Sequence, residues 1–364
     1  MVQGTASSVG KTVLVAGLCR CFANQGVRVA PFKSQNMALN SFATPDRREI
    51  GRAQAMQAAA CRIAPRVEMN PILLKPEADH RSQVVVMGHV QARLEASAYY
   101  REKLRLLPLV REALQTLRSE YDLVVIEGAG SPAEVNLAAH DIVNMRIADL
   151  ADAPVLLAGD IDRGGVFAAL LGTLELLPPE HRQRVKALVI NKFRGDLSLL
   201  QPGLDFIAQR TGKPVLGVVP WLRDLGLPEE DSVALEGSPA HGPIAVIKLP
   251  HIANFDDFDP LPVRYVERPS DLAGAAAIIL PGTKSTMDDL RWLHETGLAE
   301  AILGAGRPVA GVCGGFQMMG RRLRDPLHVE SAEGEAPGLG LLPVDTVFTP
   351  VSYTHLRAHE TGRN

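Results

Sequence analysis

Up to Trp221 the chain alternates short apolar runs with longer stretches of helical periodicity. The runs cover residues 27–32, 123–126, 155–157, 187–190 and 215–218 and are rich in Val, Ile, Leu and Ala. A short apolar run without polar alternation suits a strand covered on both faces. Residues 12–24, 50–61, 92–120 and 166–177 carry apolar positions at helical spacing, and Asn24-Gln25-Gly26 is a helix stop. Strands and helices in this alternation predict an α/β fold, a parallel sheet wrapped by helices. After Trp221 the pattern breaks. Residues 225–243 mix Gly, Pro, Ser and acids and read as an interdomain linker. A second α/β unit follows, with strands expected at 244–249, 276–280 and 308–312. The expected domains are 1–224 and 244–350, without internal repeats or low-complexity segments.

A length of 364 residues agrees with two domains. The formal net charge of -3 gives no electrostatic reason to expect nucleic acid or an anionic membrane as partner. No apolar run approaches the ~20 residues that span a bilayer. The four cysteines, Cys19, Cys21, Cys61 and Cys313, lack metal-type spacing, so thiols of a cytoplasmic protein are expected. Only Met1, Val2 and Gln3 precede the first glycine. That leaves no room for a signal peptide, and part of a first strand is expected to be missing. At the other end, Val351-Ser352-Tyr353-Thr354-His355-Leu356-Arg357-Ala358-His359-Glu360-Thr361 matches a translated sequencing adapter. Residues 351–364 are set aside as non-native, and His355 and His359 carry no weight as metal ligands despite their spacing.

Gly4-Thr5-Ala6-Ser7-Ser8-Val9-Gly10-Lys11-Thr12 is a phosphate loop one residue longer than the common pattern. Its small residues let backbone N–H groups face phosphates, and the following helix adds its positive end. Gly4, Thr5, Val9, Gly10, Lys11 and Thr12 are therefore candidate ATP-binding positions, with Lys11 on the terminal phosphates and the Thr12 hydroxyl on Mg²⁺. The longer form resembles the loop of dethiobiotin synthetase and its relatives, which activate a carboxylate or carbamate with ATP. Asp122-Leu123-Val124-Val125-Ile126-Glu127-Gly128 is a buried strand ending in an acid. Parallel strands present ligands at their C-terminal ends, so Glu127 is expected in the crevice of Lys11, holding Mg²⁺ directly or through water. Lys33 ends another strand and is a candidate catalytic cation that stabilises charge during phosphoryl transfer.

In the second unit, Val309-Ala310-Gly311-Val312-Cys313-Gly314-Gly315-Phe316-Gln317 is an apolar strand, a cysteine among glycines, then a helix. This is a nucleophile elbow with cysteine at its tip. Gly311 and Gly315 make room for the turn, the Gly314 N–H can face an oxyanion, and the helix N-terminus favours thiolate. Such a nucleophile needs a base, normally histidine. Downstream of Cys313, and before the tail set aside, stands only His328, expected to be a surface histidine.

Taken together the halves resemble the cobyric acid synthase family, over essentially all of residues 1–350. The stretches that carry the likeness include Phe32-Lys33-Ser34-Gln35-Asn36-Met37-Ala38-Leu39-Asn40-Ser41, Glu49-Ile50-Gly51-Arg52-Ala53-Gln54, Met69-Asn70-Pro71-Ile72-Leu73-Leu74-Lys75-Pro76 and Gly128-Ala129-Gly130-Ser131-Pro132-Ala133-Glu134-Val135-Asn136-Leu137. Asn254-Phe255-Asp256-Asp257-Phe258-Asp259-Pro260-Leu261 and Leu280-Pro281-Gly282-Thr283-Lys284-Ser285-Thr286 carry it into the second domain. The resemblance implies a P-loop ATP domain joined to a flavodoxin-like class I glutamine amidotransferase domain. It implies that Cys313 takes glutamine through a thioester and releases ammonia. The ATP domain then phosphorylates peripheral carboxylates (b, d, e and g) of adenosylcobyrinic acid a,c-diamide, a corrinoid, and ammonia displaces the phosphate. It places Asn191 at the adenine edge and makes Glu49 a further candidate on the Mg²⁺ side. The block Asp160-Ile161-Asp162-Arg163-Gly164-Gly165 is implied to line the same crevice. In that family the second domain runs further and carries its catalytic histidine there, so a partial glutaminase half with little glutamine-dependent activity is expected. Three alternatives fit less well: dethiobiotin synthetase has no cysteine domain, cobyrinic acid a,c-diamide synthase is set apart by the Gln35-Asn36-Met37 and Ser131-Pro132-Ala133-Glu134 blocks, and a partitioning-type ATPase that works by dimerisation has no need of the elbow at Cys313.

Overall fold

The computed structural model describes residues 1–78, 81–222, 242–331 and 333–349. The linker expected at 225–243 falls almost wholly outside them, and the tail expected at 351–364 wholly so. The chain divides into two compact units, Met1–Glu230 and Asp231–Asn364.

In the first unit a sheet is built from six parallel strands, in the order Val29–Phe32, Leu123–Ile126, Val2–Gly4, Val155–Asp160, Val185–Phe193 and Val215–Pro220. A parallel bridge between Val2 and Glu127 joins the first two strands to the other four. Side chains alternate between faces, as the pleat requires. Val2, Val29 and Val125 pack with Val15 and Cys19 of helix Lys11–Asn24. Ala30, Phe32 and Ile126 pack instead with Val110, Ala113, Leu114 and Leu117 of helix Leu107–Glu120. That spacing puts all four on one helical face, and a proline in the first turn starts the helix. Helix Leu197–Thr211 begins at Asp196, whose carboxylate accepts from Ser198 N at 2.8 Å, and ends at Gly212 with φ 67°.

Beside this sheet lies a four-stranded one, ordered Gln35–Met37, Ile72–Ala78, Arg81–Val86 and His89–Glu95. The last two strands form a hairpin closed by Met87 and Gly88, both at positive φ. A smaller hairpin pairs Ser41–Ala43 with Glu49–Gly51. These strands correct two expected helices. Residues 92–95 belong to a strand, and the rest of 92–120 divides into helix Ala96–Glu102, the 3₁₀ turn Lys103–Leu106 and helix Leu107–Glu120. Val90, Ala92 and Leu94 alternate in a way that serves either period when read without partners. Ile50 likewise lies in a strand, and the helix expected at 50–61 is Arg52–Ala60.

The second unit holds a parallel sheet ordered Val263–Val266, Ile244–Ile247, Ala277–Leu280 and Val309–Gly311. Helices Thr286–Glu295 and Leu298–Gly304 contribute Met287, Leu290, Leu293, Leu298 and Ile302 to its core. A three-stranded sheet of Glu335–Pro337, Arg322–Arg324 and Asp345–Val347 completes it.

Candidate active sites

The phosphate loop leaves strand Val2–Gly4 and enters helix Lys11–Asn24 through Gly10, whose φ of 92° a side chain would resist. The loop also excludes a Cβ by crowding. One at Gly4 would stand 2.4 Å from Val9 Cγ2, and one at Gly10 would stand 2.2 Å from Asn191 Nδ2. Thr5 N donates to Ala158 O at 2.9 Å, tying the loop to the neighbouring strand. The Lys11 ammonium donates to Ala6 O at 2.9 Å and Gly130 O at 3.1 Å, so it spans the loop and the turn after Glu127.

Glu127 is the hub. Its Oε1 accepts from Thr12 Oγ1 at 2.9 Å and pairs with Lys33 Nζ at 3.0 Å, and its Oε2 accepts from Gln57 Nε2. The Lys33 and Glu127 side chains are 5% and 1% exposed, so this ion pair is held almost dry. Three sequence-read residues, Thr12, Lys33 and Glu127, are thus brought together as expected. Gln57 was not anticipated. It is fully buried on helix Arg52–Ala60, also donates to Thr12 O at 3.3 Å, and its Oε1 has no hydrogen-bond partner. The glutamines Gln54 and Gln57, three apart among alanines, were the available signal: that helix turns amides rather than a full apolar stripe inward. Asn144 was also missed. Its amide clamps the turn after Glu127, accepting from Ala129 N at 3.1 Å and donating to Ala129 O at 2.6 Å.

Asn191 closes the other side of the loop, with Nδ2 donating to Val9 O at 2.7 Å. Next to it Lys192 joins Ser8 O at 2.7 Å to the Asp160 carboxylate at 2.9 Å. Asp160, the first residue of the 160–165 block, is tied to the loop in this way through Lys192. Glu49 stands with different company: its carboxylate takes the Lys75 ammonium, which also reaches Ser41 Oγ. A hard-oxygen cation such as Mg²⁺ suits the Thr12 hydroxyl and Glu127 carboxylate.

In the second unit Cys313 sits at φ 49° and ψ -112°, exposed, just ahead of helix Gly314–Met318. The neighbouring glycines are required by space. A Cβ on Gly315 would lie 2.1 Å from Leu280 O, and one on Gly311 would lie 2.6 Å from the Phe316 backbone. Gly314, first in the helix, has no intrahelical acceptor for its N–H. His328 is exposed, with Nδ1 3.2 Å from Ser331 O, in keeping with a surface histidine. His251, upstream of Cys313, was not anticipated. Its Nδ1 lies 2.7 Å from Oδ1 of the fully buried Asp289, whose other oxygen accepts from Thr283. The His251 loop pairs with the Gly282–Thr283 segment, and Gly282 abuts Cys313. Glu330 caps helix Thr286–Glu295 at Thr286 N, and burial raises its pKa to about 7.

Two family models match. The CobQ/CobB/MinD/ParA nucleotide binding domain covers residues 1–233, and the CobB/CobQ-like glutamine amidotransferase domain covers residues 243–362. The cobyric acid synthase of Sorangium cellulosum is 59% identical, over 96% of this chain and 70% of its own length. The chain belongs to the cobyric acid synthase family. Members from Chloroflexus aurantiacus and Moorella thermoacetica are each 55% identical, over 97% and 100% of this chain and 74% and 73% of their own lengths. A nucleotide-binding unit and a glutamine amidotransferase unit make it an ATP-dependent amidotransferase. Among the described residues no helix is long and apolar enough to cross a membrane.

Proposed function

We propose that the chain amidates the b, d, e and g carboxylates of adenosylcobyrinic acid a,c-diamide with ATP and glutamine, giving cobyric acid in cobalamin biosynthesis. The observation that carries this is the dry Glu127 hub, where Thr12 and Lys33 meet directly behind the phosphate loop. The loop N–H groups and Lys11 hold the phosphates, and the Asn191 carboxamide reads the adenine edge while its Nδ2 stays on Val9 O. Lys33 stabilises the negative charge that builds on the γ-phosphoryl group as a substrate carboxylate oxygen attacks it. ADP leaves, and an acyl phosphate remains. Thr12 and Glu127 would hold Mg²⁺, which when bound supplies charge neutralisation on the phosphates. Glu49 would join them only after releasing Lys75.

At the second site the Cys313 thiolate attacks the glutamine carboxamide, Gly314 N–H steadies the oxyanion, and a proton from water lets the nitrogen leave as ammonia; hydroxide then hydrolyses the thioester to glutamate and frees the thiolate. Ammonia then attacks the acyl phosphate, forming the amide and expelling phosphate. Neither nucleic acid nor a membrane enters this chemistry, and a cytoplasmic location suits it. The test is ADP release by the full chain supplied with Mg²⁺, the corrinoid and either glutamine or an ammonium salt. Corrinoid-dependent ADP formation with amide product is expected. ATP hydrolysis indifferent to the corrinoid would overturn the reading.

A further inference from the structure

Lys103 stands apart from the machinery described so far. It is 7% exposed, at the junction of helix Ala96–Glu102 and the 3₁₀ turn Lys103–Leu106. Its stem is packed away, while the ammonium at the tip keeps contact with solvent, as long cationic side chains do. Among the described residues no acceptor makes a hydrogen bond or ion pair with Lys103. Its ammonium lies 4.1 Å from the centroid of the Tyr100 ring, a contact that offsets only part of the lost hydration. Asp141 is the nearby negative charge, but its oxygens are taken by the N–H groups of Val143, Asn144 and Arg146 at 2.8, 2.9 and 3.0 Å. Burial accordingly pulls the Lys103 pKa below its ordinary value.

The surroundings connect this lysine to the phosphoryl-transfer site. Tyr99, four residues before it, donates through its hydroxyl to Gln35 Oε1 at 2.6 Å. Gln35 is two residues from Lys33, and Ser34 between them donates to Ile142 O at 2.6 Å, next to Asp141. The segment bearing Lys103 is thus fastened to the strand end that presents Lys33. A substrate with several carboxylate arms needs a second hold while one arm reacts, because orientation is what the transfer step requires. We propose that Lys103, backed by Tyr100, is an anchoring site for a non-reacting carboxylate of the corrinoid substrate. This rests on the reading of the function given above. A carboxylate arriving there gains a charge-assisted hydrogen bond and supplies the counter-charge that the fold leaves out.

The experiment compares the full chain with Lys103→Met and Lys103→Arg, measuring KM for adenosylcobyrinic acid a,c-diamide and Kd for MgATP. Removal of the cation is expected to raise the corrinoid KM about ten- to a hundredfold while MgATP binding stays unchanged. Arginine should restore part of the loss. Because a buried lysine can matter for folding, a second measurement uses the unmodified chain. Lysine acylation followed by mass spectrometry should show Lys103 protected by the corrinoid and not by MgATP alone. An unchanged corrinoid KM in a Lys103→Met chain that still binds MgATP overturns the proposal, and so does labelling of Lys103 that ignores the corrinoid. If the unmodified chain shows no corrinoid-dependent ADP release, the functional reading itself has failed, which is a separate outcome.

Discussion

Glu127 shows how much one buried carboxylate can organise. It gathers a hydroxyl, an ammonium and an amide, which come from three segments far apart in sequence. Thr12 and Glu127 were legible because strand-loop-helix grammar assigns them positions. Lys33 followed from its place at a strand end. Gln57 could not be found that way: the pair Gln54 and Gln57 among alanines signals amides turned inward, but not that one of them meets a carboxylate. Gln57→Leu should lower stability by about 1 kcal/mol or more, as Glu127 loses a donor in a dry setting. Urea denaturation measures this, and the Mg²⁺ concentration needed for half-maximal ATP turnover should rise in parallel. On the other unit, Cys313→Ala should remove the small glutamine-dependent amidation expected of a partial glutaminase half and leave ammonia-dependent amidation within about twofold, because ammonia bypasses the thioester. Equal loss with both nitrogen sources would mean that the cysteine supports structure rather than chemistry.

Among the elements, the parallel strands were the most legible, and Leu123–Ile126 was read to the residue. Runs such as Val29–Phe32 and Val155–Asp160 are buried on both faces, so the signal there is continuous. The sheet built on Gln35–Met37 was not legible, because its strands mix charged and apolar residues and take their identity from partners. The elbow was clear for a steric reason that makes a prediction. Gly315→Ala would drive a Cβ into the Leu280 carbonyl, a backbone atom with no room to retreat, so a loss of about 3 kcal/mol or more is expected in thermal or denaturant unfolding. Helix Thr286–Glu295 carries a pH signature through its cap. Burial, the larger influence, holds the Glu330 pKa at about 7, above its ordinary 4.5. A carboxyl raised in the native state contributes stability fully below about pH 4.5 and loses it as pH rises through about 7. Melting of the second unit should therefore weaken across that window, and Glu330→Gln should flatten the profile while keeping an acceptor for Thr286 N. A slope that survives the substitution would assign the titration to another group.

At the scale of the molecule, each unit has a core of its own, and each core frames one half of the chemistry. Ligand linkage should respect that division. Saturating MgATP, at about a hundred times its Kd, adds about 2.7 kcal/mol to the state that binds it. Hydrogen exchange is expected to slow at residues 4–12 and 127–131 and to stay unchanged at 309–318. Slowing at the elbow as well would show that nucleotide binding is felt in both units.

The backbone of Cys313 carries one more consequence. Its φ of 49° lies where glycine is comfortable and cysteine is not. The residue that makes the site reactive is therefore the residue the turn would rather not have. Cys313→Gly should give a chain that melts slightly higher and releases no ammonia from glutamine. Selection for thermal robustness alone, without demand for the reaction, would drift toward that glycine, so the cysteine marks a position where endurance was traded for reactivity.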